Sequence, residues 1–595
     1  MRRPTICVLA AVVGLATPAA MTNAQQAPAA AGPATPAQLE QQLAEHDANL
    51  GVADWLTITQ PGHDTFQLAD YVERRRGELI ADGIAELLRA DRSAWADDDT
   101  RKLTLLRQRT KWPLPADPDA RASLARLVAG YRRNIAMTAL CVEAGPCLDR
   151  IAVEEHMSLS TGPDERQFYR EGWLDQLAPQ RSTFSQTVMP LNAAAAQWGY
   201  EDFVEWLAAG YATDGAGLTR RVDALWLELK PLYGALHCHV AAHLDANEIA
   251  SSQTADGTIP ARLLGTLDPR DWRELRDVAA KDLPAPFSLE QAVPDRFSSI
   301  QELAHFAAAF FGTLGYPALP DSFWQRSQFD RGSDEAGCLR AGRDVDSYRD
   351  VRIAICNDIG AENFHWLHRT IATLHYNLAF AHLDWAYRTP PHPGFDYAHA
   401  QVALLSLTPI YLRGLGLLQE LPGGRSEISR LLDQALRTLP RLMGNIAAAD
   451  WQRSVFSGST APAAYDRDWW QSMRHYAGID AASRRDDGFA APLLPEIAAG
   501  EDPIAEVFGV VLGYQLLGAA CAGASVPLHQ CSIAGDKVFG SRLHAMLSLG
   551  ASKPWPDALE LATGSRQVSA SALLEYYAPL RRWLDEQNSA RTCAW

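Results

Sequence analysis

From about residue 38 almost to the C-terminus, apolar side chains recur every three or four positions, a period that restricts the chain to helices packed on helices. Leu39, Leu43, His46 and Leu50 open an amphipathic segment, and Leu79, Ile80, Ile84, Leu87 and Leu88 repeat its spacing. Asp- and Pro-rich breaks at 113–118, 268–271 and 283–294 separate helices without forming long linkers. No internal repeat follows the N-terminal tail. Length alone, 595 residues, would suggest two to four domains. The continuous helical pattern predicts one large all-α domain over 38–595. Segment 508–526 is nearly long enough to span a membrane, but its glycines and Gln515 predict a fully buried core helix.

Hydrophobic residues make up 47% of the chain and charged ones 21%, enough to bury a large core. The formal charge of −17 argues against nucleic acid or an anionic membrane as the main partner. Residues 1–24 have the layout of a secretory signal: Met1-Arg2-Arg3, an apolar run from Ile6 to Ala16, and the small-x-small site Thr22-Asn23-Ala24. The run is too short to span a bilayer. Residues 25–37, rich in Ala, Pro and Gln, read as a disordered lead-in. Export, secreted or to a bacterial periplasm, is the expectation. Six cysteines fall in short-range pairs that suit an oxidising compartment, Cys141/Cys147, Cys338/Cys356 and Cys521/Cys531, although spacing does not fix connectivity. Cys238 reads as a buried free thiol and Cys593 as an exposed, reactive one.

Several separated motifs carry a resemblance. They are Glu171-Gly172-Trp173, Ile259-Pro260-Ala261-Arg262-Leu263-Leu264-Gly265, Phe310-Phe311-Gly312-Thr313-Leu314-Gly315 and Pro320-Asp321-Ser322-Phe323-Trp324. Val455-Phe456-Ser457-Gly458, Asp468-Trp469-Trp470, Pro527-Leu528-His529-Gln530-Cys531, Lys553-Pro554-Trp555 and Trp583-Leu584-Asp585-Glu586-Gln587-Asn588 continue in order. Together they resemble the angiotensin-converting-enzyme family of zinc peptidyl dipeptidases over nearly the whole mature chain. The resemblance implies a two-lobed helical ellipsoid around a deep peptide-binding cleft, with disulfides at the three cysteine pairs.

It also implies a zinc centre, and here the sequence departs. Zinc hydrolysis needs two histidines four apart on one helical face, a third ligand, and an acid beside the metal-bound water. The family's His-Glu-x-x-His falls on Arg369, Thr370, Ile371, Ala372 and Thr373, just after His368. Its third ligand falls on Tyr397, following Pro393-Gly394-Phe395-Asp396, and a supporting Asp on Gln401. Arginine stays protonated and threonine hydroxyls are weak zinc ligands. Hence no cofactor is expected, although the family uses zinc, and Thr370 holds the position of the catalytic base.

The residues that would grip substrate also differ. The family's peptide-pairing strand reads Cys338-Leu339-Arg340-Ala341-Gly342-Arg343. Its carboxylate-binding segments read Leu494-Pro495-Glu496 and Pro503-Ile504-Ala505-Glu506, where Glu496 and Glu506 would repel a terminal carboxylate. The candidate cleft residues are therefore Arg340, Arg343, His368, Arg369, Asp396, Glu496 and Glu506. Arg369 is a candidate to stand in for the metal charge by pairing with Asp396 or Glu362.

Rival chemistry finds little support. His365/His368 and Asp396/His399 have metal-like spacing, but His399 points about 200° around its helix from Tyr397. His375 and His382 are about 10 Å apart along an axis. No Gly-x-Ser-x-Gly elbow occurs. Asp344, Asp346 and Asp350 read as a solvated loop in place of a calcium site. The expected role is a catalytically inactive module that binds peptides or a protein partner or serves as a scaffold. The alternatives are a divergent metallopeptidase with a relocated or unorthodox site, and a relic under weak functional constraint.

Overall fold

The computed structural model describes residues 35–93, 95–142, 145–160, 162–246, 257–331, 340–346, 349–481, 488–494, 502–593 and 595. The signal reading at 1–24 lies outside them. Helix begins inside the tail expected to be disordered. α1 (Pro36–Thr59) starts at Pro36, where Thr35 and Gln38 exchange backbone and side-chain hydrogen bonds, so two unpaired helix-end groups are satisfied.

The helices that organise the interior follow the expected period. They are α2 (Gly215–Ala246), α3 (Ala361–Ala379), α4 (Phe395–Leu405), α5 (Gly424–Phe456), α6 (Tyr465–Ala477) and α7 (Ile504–Ala520). In α3, Phe364, Leu367, His368, Ile371, Leu374 and His375 form the buried stripe, while Glu362 and Arg369 lie on the outer face. α7 is apolar around most of its circumference, Glu506 and Gln515 apart, and is largely buried, but the fully buried helix expected over 508–526 stops at Ala520 and residues 522–526 are exposed. One continuous apolar core runs from Leu39 to Leu584. Among the described residues no helix is long and apolar enough to cross a membrane.

The helical pattern gave no warning of one small sheet. β1 (Gln328–Arg331), β2 (Ala341–Asp344) and β3 (Val351–Cys356) form it, with β3 in the centre. β2 runs antiparallel to β3, Gly342 opposite Ile353 and Arg343 opposite Arg352. Trp55 and Ile58 of α1 make a second, smaller core with Ala341, Val345 and Ala354. The acidic run beside this sheet is not uniformly solvated. Asp350 is buried between the guanidinium groups of Arg326 and Arg352, which hold its carboxyl below the usual range against the opposing cost of burial.

Two disulfides fall as expected, Cys141–Cys147 and Cys521–Cys531. Cys356 is disulfide-bonded, and Cys338 lies outside the described residues. The readings of Cys238 as a free thiol and Cys593 as a reactive one are corrected: they are joined, with Cα atoms 5.5 Å apart. Sequence separation concealed the pair, since the partners stand 355 positions apart along the chain and only tertiary folding brings them together. Trp595 reinforces the join by donating from Nε1 to the Arg474 carbonyl at 2.8 Å and packing its ring on Tyr233 and His237.

Candidate functional site

α3 and α4 pack side by side and present the four residues that occupy the chemistry-bearing positions. Arg369 is exposed, Thr370 and Thr373 are half-buried, and Tyr397 is 41% exposed. Arg369 and Thr373 are four apart, hence on one face of α3.

Glycines decide how closely other backbone approaches. A Cβ added to Gly342 would lie 2.5 Å from the Thr370 methyl carbon, so β2 rests directly on α3 at that residue. A Cβ on Gly509 of α7 would lie 2.1 Å from Tyr397 Cβ, and one on Gly513 2.6 Å from Gln401. α7 thus rides on α4 through two glycines four apart, with Tyr397 packed at the first of them. Neither set of contacts was anticipated, although the Gly-x-x-x-Gly spacing at 509–513 is a readable signal for close helix packing.

The pairing expected of Arg369 is not present. Among the described residues it forms no ion pair or hydrogen bond. Glu362 is two helical turns away, about 10 Å by rise, and pairs instead with Arg340, which also donates to Asn363 Oδ1 at 3.2 Å. Among the described residues Asp396 has no cation either. Burial pushes its carboxyl up to about 6, and its Oδ1 has no hydrogen-bond partner among the described residues. Tyr376 lies near it with a buried hydroxyl, raised by burial first and by the Asp396 charge second.

The other candidate cleft residues divide. Glu506 is not a bare charge: Arg441 Nε donates to it at 2.6 Å and Asn445 Nδ2 at 2.9 Å. Asn445 in turn accepts from Arg270, whose Nε donates to Asp268 at 2.9 Å. That corrects the expectation of a repelling carboxylate at Glu506. Glu496 lies outside the described residues. Arg343 donates from Nη1 to the Gly342 carbonyl at 2.9 Å.

The histidines are engaged within the fold. His365 and His368 each place Nδ1 on the carbonyl one turn back, Ala361 at 2.7 Å and Phe364 at 2.8 Å. A carbonyl only accepts, so Nδ1 is the donor in both. His399 Nε2 meets the Tyr316 hydroxyl at 3.3 Å, and His375 sits between the rings of Phe311 and Tyr316. Burial lowers His368 to about 4 and both His375 and His399 to about 3. Among the described residues no three His, Cys, Asp or Glu side chains converge as a metal-ligand group.

Comparison with known proteins agrees with this fold. A family profile described as angiotensin-converting enzyme matches residues 34–595. An angiotensin-converting enzyme of Haematobia irritans exigua is 26% identical over 572 residues, 92% of each chain. That of Theromyzon tessulatum is 29% identical over 442 residues, 72% of this chain and 71% of the relative. That of Mesocricetus auratus is 30% identical over 430 residues, 71% of this chain but 33% of the relative, so the match spans about a third of that protein. The chain belongs to the angiotensin-converting enzyme family of peptidases.

Proposed function

We propose that this chain is an exported, metal-free member of its family that binds extended peptides and does not hydrolyse them. The observation that carries the reading is the donor set at the accessible faces of α3 and α4: Arg369, Thr370, Thr373 and Tyr397 offer no imidazole and no carboxylate. These residues do not fit zinc, because a guanidinium cannot surrender its proton to coordinate and neutral hydroxyls hold the ion weakly. No carboxylate stands at Thr370 to take a proton from water. What remains for binding is the outer edge of β2, with which no strand pairs among the described residues. Exposed main-chain donors and acceptors on a sheet edge accept an added strand.

The test combines metal content with turnover. Purified protein incubated with zinc and then desalted is expected to retain well under one equivalent and to release no dipeptide from C-terminally free peptides. Stoichiometric zinc with chelator-sensitive release would overturn the reading. The quadruple variant Arg369→His, Thr370→Glu, Thr373→His, Tyr397→Glu is expected to recover partial metal binding and little turnover. A longer side chain at 370 meets β2 at Gly342, and the peptide-gripping residues remain changed. Robust dipeptide release by that variant would contradict this account of the cleft.

A further inference from the structure

We propose that the β2 edge selects acidic extended peptides, recognised by Arg369 from one face of the bound strand and Arg343 from the other. This deepens the peptide-binding reading and rests on it. Arg340 precedes β2, Arg343 lies within it beside Asp344, and Arg369 stands on α3 next to the Thr370 on which the strand rests, in a chain whose formal charge is −17. Exposed guanidinium groups in such a field are points to which negative ligands are drawn.

The three are not equivalent. Arg340 is held by Glu362, so its charge is largely met. Arg369 is exposed and unpaired among the described residues, and it neighbours Thr370, on which the middle of β2 rests. Arg343 bonds to the carbonyl of Gly342 in its own strand, so part of the edge is covered by a side chain of the protein, and its charge also acts on Asp54 of α1, opposing the rise that burial imposes on that carboxyl.

Strand geometry assigns the faces. Side chains alternate along β2, so Ala341 and Arg343 turn toward α1, where Ala341 meets Trp55 and Ile58, and Gly342 turns toward α3. A strand added alongside presents its own side chains alternately to the same two sides. Those facing α3 come to Arg369. Those facing α1 come to Arg343, which must leave the Gly342 carbonyl to admit the new strand. A carboxylate there takes over the displaced guanidinium, whereas a neutral side chain leaves the lost hydrogen bond uncompensated. Acidic side chains are therefore favoured on both faces.

The experiment uses the full chain and three fluorescent octapeptides that differ only at alternate positions, carrying Glu, Gln or Lys. Anisotropy at low salt is expected to show the Glu peptide binding about tenfold more tightly than the Gln peptide, and the Lys peptide weakest. The difference is expected to shrink severalfold in about 1 M salt, where screening acts within about 3 Å. Arg369→Gln is expected to lose most of the preference for the Glu peptide over the Gln peptide, and Arg343→Gln to bind the Gln peptide more tightly than the unaltered protein does. Equal binding of the three peptides would overturn the acidic selectivity and leave peptide binding standing. Binding of none would overturn both. A Glu preference unchanged in Arg369→Gln would remove Arg369 from the account.

Discussion

At the scale of single residues, the decisive contact is Thr370 beneath Gly342. Threonine at a position where the family has a carboxylate reads from sequence as a loss of chemistry. The structure adds that its methyl occupies the space a Cβ at 342 would need. Gly342→Ala is therefore expected to cost about 1–3 kcal/mol by overpacking. Thr370→Ser, which removes that methyl, should recover most of the loss in the double variant. Urea denaturation of the two single variants and the double one decides it: independent, additive costs would show that the contact does not limit β2. Arg369 shows the opposite limit of sequence reading. Its charge was evident, but its partners were guessed from residue type, and a separation of seven along one helix already ruled out Glu362.

At the scale of elements, α7 joins two neighbours by different physics. Toward α4 it offers glycines, so backbone approaches backbone. Toward α5 it offers Glu506, which enters the polar chain of Asn445, Arg441, Arg270 and Asp268. Removing one member of such a chain leaves buried donors without an acceptor. Glu506→Ala is expected to lower stability by about 1–3 kcal/mol and Glu506→Gln by less, measured as a shift in the urea midpoint at constant slope. The helical period made α3, α4 and α7 readable in advance, because apolar spacing is local. β2 escaped that period since four residues with one glycine carry almost no periodic signal. The Glu506 chain escaped for another reason. Its members are separated by up to about 240 positions, and nothing in residue type specifies which carboxylate meets which guanidinium.

At the scale of the whole molecule, burial of histidine sets the response to acid. His237, His239 and His368 are lowered to about 4, and His375, His392 and His399 to about 3, in each case by burial first. A group whose folded pKa is depressed binds protons more readily when unfolded, so stability rises with pH. The contribution is fully present above about 6.5, the ordinary histidine value, and is lost progressively as pH falls toward 4 and 3. Each such ring adds a slope of about 1.4 kcal/mol per pH unit within its window. Asp396 acts in the opposite sense, because its raised carboxyl holds a proton in the folded state between about 4 and 6. Burial raises Asp54 and Asp502 as well, and these three carboxyls do not offset six imidazoles. The urea midpoint is expected to fall steadily from pH 7 through 6 to 5, and a flat profile would show that these rings stay accessible to protons in the native state.

The Cys238–Cys593 bond also imposes an order of events on biogenesis. Cys238 emerges from the ribosome early, yet its partner is the third residue from the end. The bond cannot close until the 355 residues that follow Cys238 up to and including its partner have been made. A chain that stops short of residue 593 keeps an unmatched thiol on α2, a ready point for cross-linking to another molecule. Closure of this one bond thereby reports that the segment carrying Cys593 has been made and has docked on α2.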